Sequence, residues 1–101
     1  MSVLLLECNV AGYRYYDGHK VWHSMREKDS LELRRERENP YDDRAVEVLW
    51  KGVKLGYIPK KDNSVIAQLI DRGNRLEAYI KELRNTPNPW ERVHISVFLV
   101  L

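Results

Sequence analysis

Ala45-Val46-Glu47-Val48-Leu49-Trp50-Lys51-Gly52-Val53-Lys54-Leu55-Gly56-Tyr57-Ile58-Pro59 has the pattern of a β-hairpin. Two runs rich in β-branched and aromatic residues flank Lys51-Gly52. That pair is short enough for a tight hairpin in which the glycine takes the positive φ the turn needs. Pro59 supplies no amide donor and closes the second arm.

Outward from the hairpin, the N-terminal side begins with a loop at Glu38-Asn39-Pro40, where proline biases its predecessor to extended geometry. Before it, Leu31-Glu32-Leu33-Arg34 alternates with the two-residue period of a half-buried strand. Val3 to Val10 does the same, with Leu4, Leu6, Cys8 and Val10 on one face and Glu7 and Asn9 on the other. Between Asp17-Gly18 and Ser30 the pattern is irregular, and Val21, Trp22 and Met25 suit one or two helical turns. On the C-terminal side, Asn63 reads as a helix N-cap and Val65, Ile66, Leu69 and Ile70 as a helical stripe ended by Gly73. Two further alternating runs, Leu76 to Lys81 and Val93 to Leu101, are joined by a loop carrying Pro87 and Pro89. The chain is therefore mainly β, with about six strands and one secure helix. A small OB-like barrel covers both sheet edges at this size. A split β-sheet with the helix packed on one face fits the same periodicity.

With 101 residues, 44% of them hydrophobic, the chain can bury one modest core, so a single domain over residues 1–101 is expected. The formal charge of +2, from 17 basic and 15 acidic residues, is too mild to mark a nucleic-acid binder by itself. Basic residues gather at Arg34, Arg35 and Arg37 and at Lys51, Lys54, Lys60 and Lys61, the first group interleaved with acids as on a solvated strand face. Cys8 is the only cysteine, which rules out an intrachain disulfide and fits a reducing compartment. Val3 to Leu6 is too short for a signal or a membrane span, so an intracellular protein is expected, cytoplasmic if prokaryotic.

Enzyme signatures are sparse. His19 and His23 would share a helix face as metal ligands do, but neither a cysteine nor an HExxH-type glutamate accompanies them. The serines lack a nucleophile elbow, and Cys8 sits in an apolar face that disfavours the thiolate. Asp42 and Asp43 with Glu36 and Glu38 suggest a metal-dependent nuclease only weakly, because adjacent carboxylates in an extended segment point apart. No catalytic residue, cofactor or metal is expected.

Aromatic residues beside charges cluster instead at loops: Arg14-Tyr15-Tyr16 before Asp17-Gly18, and Asn39-Pro40-Tyr41-Asp42 before Arg44-Ala45-Val46. A phenol ring offers a stacking face to an unpaired base while a neighbouring cation neutralises phosphate. Equally, one or more of Tyr15, Tyr16 and Tyr41 can plug the barrel with its hydroxyl at the surface. Asp42 likewise reads either as a cap on its own turn or as a ligand.

Gly12-x-x-Tyr15-Tyr16, Leu33 with Arg35-Glu36, Asn39-Pro40-Tyr41-Asp42 with Ala45-Val46, and Leu55-Gly56-Tyr57-Ile58-Pro59 follow one another in the order and spacing of the HIRAN domain family, which the segment from about Val10 to Gly73 resembles. The resemblance implies an OB-like fold, found alone in prokaryotes and fused to helicase-like remodelling proteins, and a non-catalytic module that captures 3' ends of single-stranded DNA in repair or replication. By position, Tyr15 and Tyr41 would stack on the terminal base or bases, and Asp42 would accept a hydrogen bond from the terminal 3'-hydroxyl. Arg14 and Lys60 would hold phosphates, and Asn39 would fix the loop or reach the terminal nucleotide through its amide. Tyr57 stands where some DNA-binding members carry histidine, and Trp90 lies beyond the matching motifs. A DNA-processing protein is a further partner on this reading, and a protein-interaction adaptor using the same cleft is the alternative function.

Overall fold

The computed structural model describes residues 1–101. Six strands, β1 (Ser2–Asn9), β2 (Ser30–Arg35), β3 (Val46–Trp50), β4 (Val53–Tyr57), β5 (Leu76–Leu83) and β6 (Val93–Val100), form one antiparallel sheet in the order β1-β6-β5-β2-β3-β4. The helices are α1 (Gly18–Val21), a single turn, and α2 (Asn63–Asp71).

The two ends of the sheet come back together just past β1. Ala11 N–H donates to the Tyr57 carbonyl at 2.8 Å and Tyr57 N–H to the Ala11 carbonyl at 2.9 Å. The sheet must curl to make that bridge, which gives an OB-like architecture joined at one point rather than a barrel laddered all round. Gly56 makes the approach possible: its φ is 154°, and a Cβ there would sit 2.2 Å from the Ala11 carbonyl oxygen.

Inside lie Val10, Val48, Leu55, Ile80, Ile95 and Val97, all buried, with Ile66 and Ala67 of α2. Each large aliphatic side chain so buried contributes about 1.5–3 kcal/mol relative to exposure. The β3–β4 turn has φ of 46° at Lys51 and 81° at Gly52, the paired left-handed geometry of a type I′ hairpin.

Several sequence expectations shift. The β1 register slips at Leu5, where a bulge lies between Leu4 and Leu6 in the pairing with β6. Leu6, Cys8 and Val10 keep the inward face, but Leu4 is turned out. Val65 faces solvent, because α2 presents Ile66 and Ala67 to the core. Leu101 is likewise exposed beyond the end of β6. Asn63 is the first residue of α2 and not its cap; Asp62 precedes the helix, without a side-chain capping bond, at the end of a 3-10 turn over Lys60–Asp62. Gly73 does end the helix, its N–H bonding the Ile70 carbonyl while Asn74 N–H reaches that of Leu69.

Candidate nucleic-acid interface

The loop between β2 and β3 is held by its own polar side chains. Asn39 Oδ1 accepts from the backbone N–H of Tyr41 (2.8 Å) and Asp42 (3.0 Å), while its Nδ2 donates to Glu36 Oε1 (2.6 Å). That is an Asx turn tied back to the end of β2. Asp42 Oδ1 accepts from Arg44 N–H (3.0 Å), and its Oδ2 accepts from Asn63 Nδ2 (2.8 Å). Asn63 is only 2% exposed, so this bond fastens the loop to the start of α2 from inside the protein. Arg35 adds a clamp, donating to the carbonyls of Ala45 (2.9 Å) and Asp43 (3.0 Å) and pairing with Asp71 (2.9 Å).

Within this rigid frame the Tyr41 ring projects outward, 89% exposed. Asn39 fixes the loop, one of the two roles open to it from sequence. Asp42 does cap its own turn, and each carboxylate oxygen, having accepted one protein donor, retains acceptor capacity.

Five of the seven sequence-selected residues, Asn39, Tyr41, Asp42, Tyr57 and Lys60, line one cleft of about 310 Å³ beside the bridge at Ala11. The other two, Arg14 and Tyr15, line an adjoining pocket of about 210 Å³ that shares Gly12 with the cleft and is also lined by Trp90. The Tyr15 ring is 73% exposed, with the Arg14 guanidinium 5.3 Å from its centroid. Trp90, 57% exposed, is the only other exposed aromatic side chain, so all three free rings surround these cavities. Lys60 and Arg14 make no ion pair within the protein, whereas Arg34, Arg35 and Arg37 are paired with Glu47 and Asp71.

Beneath the cleft runs a polar network that the sequence pattern does not disclose. The Lys54 ammonium sits 4.3 Å from the ring centroids of both Tyr16 and Tyr57, and donates to the Tyr57 hydroxyl at 2.7 Å. That hydroxyl donates in turn to Glu36 Oε1 at 2.7 Å, and Lys54 also pairs with the buried Glu47 at 3.4 Å. Burial, reinforced by the Glu36 carboxylate, pushes the Tyr57 phenol up to about 12 against the opposing pull of Lys54. Burial also pushes the Glu36 carboxyl up, but the bonds from Tyr57 and Asn39 and the charge of Lys54 prevail and hold it below its usual value. The Tyr57 hydroxyl is thus committed inside the protein and its ring walls the cleft. Lys54 belongs to this enclosed cluster. Its sequence signal was faint: an alternating lysine near tyrosines that only the fold brings together.

The tyrosine that plugs the interior is Tyr13, 3% exposed, while Tyr16 packs edge-on against Tyr57 at 5.7 Å. Nowhere do three or more His, Cys, Asp or Glu side chains converge to hold a metal ion. His19 instead contacts the Tyr16 carbonyl at 3.1 Å. Burial raises the Cys8 thiol to about 12. No helix is long and apolar enough to cross a membrane.

Comparison with known proteins agrees with this architecture. No curated protein sequence matches the chain significantly. A crystal structure of a protein from Lactobacillus plantarum is similar at 29% identity and a TM-score of 0.83, covering 98% of this chain and 95% of that one. The HIRAN domain of human HLTF superposes with a TM-score of 0.76 at 24% identity, over 97% of this chain and 78% of the other, a likeness of fold. The HIRAN domain profile matches residues 3–101, and the chain belongs to the HIRAN domain family.

Proposed function

We propose that this domain is a DNA-binding module that seizes the free 3' end of single-stranded DNA and serves DNA repair or replication without catalysing a reaction. The observation that carries the reading is the convergence of Asn39, Tyr41, Asp42, Tyr57 and Lys60 on one cleft, with Tyr15 and Arg14 at its border. Tyr41 and Tyr15 stack on the terminal base or bases, and Lys60 and Arg14, free of protein carboxylates, neutralise the adjoining phosphates. Asn39 holds the loop that presents Asp42. The carboxylate of Asp42 accepts a hydrogen bond from a terminal hydroxyl but repels the phosphodiester found at every internal position. End selectivity rests on that single charge. Tyr57 contributes a ring wall and no phosphate contact, since its hydroxyl is committed to Lys54 and Glu36.

Competition between linear and circular single strands of equal length tests the reading. Displacement of a labelled short oligonucleotide by the linear strand at concentrations where the circle is inert supports it. Equal competition by the two overturns it, because a circle has no end to offer.

A further inference from the structure

We propose that a separate cavity of about 350 Å³, between β1, the Lys60–Asp62 turn, Trp90 and His94, accepts the base of a nucleotide upstream of the bound 3' end. This rests on the end-binding reading above and extends it to a second subsite. The cavity shares Ala11 with the end cleft and Trp90 with the pocket of Arg14 and Tyr15, so the three form one connected surface around the Ala11-Gly12 segment.

The chemistry of its walls suits a base better than a phosphate. Val10, Ala11 and Pro59 give an apolar lining, and the half-exposed indole of Trp90 stands at the boundary. Polar groups of both kinds complete it. His94 Nδ1 lies 2.8 Å from Asn9 Oδ1, a contact that fixes the ring and leaves its Nε2 edge free for a ligand. Neither His94 Nε2 nor Asn9 Nδ2 has a further partner in the protein, and the Lys61 ammonium and Asp62 carboxylate make no ion pair or side-chain hydrogen bond. Unengaged donors and acceptors around an apolar lining match the alternating edge of a nucleobase. Net positive charge, which a phosphate needs, is absent: Asp62 offsets Lys61, and Glu7 is already matched by Lys81 at 2.7 Å.

Fluorescence anisotropy with 5'-labelled oligothymidylates of two, three, four and six nucleotides, all ending in a free 3'-hydroxyl, tests this. Tetramers carrying one abasic residue at each upstream position separate base from charge, since every phosphate is kept. Affinity is expected to rise by about fivefold or more between the dimer and the tetramer, as for one added stacked base. One abasic position should remove that gain, and so should His94→Ala. A dimer that binds as tightly as the tetramer, or a gain that every abasic tetramer retains, overturns the second subsite while leaving end binding intact. An equal loss for dimer and tetramer in His94→Ala also counts against it, as the mark of a merely structural residue. A tetramer blocked with a 3'-phosphate is the control for the reading beneath this one: if it binds as tightly as the free-ended tetramer, the end-binding reading falls first.

Discussion

At the scale of single residues, exposure separates stacking candidates from packing ones. Tyr13 lies in the core and Tyr16 leans on Tyr57, whereas Tyr41 touches so little of the protein that its ring contributes almost nothing to folding. Tyr41→Ala is therefore expected to weaken binding of a short single strand by about 1–3 kcal/mol. Its thermal midpoint should stay unchanged, and the pairing of calorimetry with a binding titration checks both halves. Which tyrosine would do what was only partly legible in the sequence. Tyr15 and Tyr41 stand out there beside charges in loops, but nothing in the local pattern distinguishes Tyr13, whose burial depends on the return of the chain around Gly18. Asn63 shows the same limit from the other side. Its position before a helical stripe is that of a cap, yet its amide bonds Asp42, a partner 21 residues away that periodicity cannot reveal.

At the scale of elements, the hairpin of β3 and β4, the alternation of β5 and β6 and the end of α2 at Gly73 follow from patterns visible in the chain. The bulge at Leu5 does not, because an inserted residue leaves an apolar run looking uninterrupted while it turns Leu4 outward. The contact joining the sheet's ends is equally hidden, although Gly56 marks where it occurs. Gly56→Ala should place a methyl group against the Ala11 carbonyl in a backbone region alanine rarely adopts. The expected loss is at least about 1–3 kcal/mol, read from denaturant unfolding. A variant as stable as the parent would mean that the bridge at Ala11 and Tyr57 is dispensable.

Across the whole molecule, the polar network under the cleft couples folding to pH. Glu36 is held below its usual value in the folded state, so its contribution is fully present above the unfolded carboxyl value of about 4.3 and is lost as pH falls through the folded one. Glu36→Gln should accordingly lower stability near neutrality and flatten part of the acid limb, seen in thermal midpoints recorded from pH 3 to pH 7. Because Glu36 also holds Asn39 and Tyr57, the same variant should loosen the loop that presents Tyr41 and Asp42. The sheet, the helix and the loop thus converge on the carboxylate of Asp42, the charge proposed to read a chain end. Titration of a short single strand ending in a 3'-hydroxyl against the same strand ending in a 3'-phosphate isolates the effect of that charge. The hydroxyl end should bind clearly more tightly, with Asp42→Asn erasing most of the difference; equal affinity for the two ends would mean that Asp42 does not read the end.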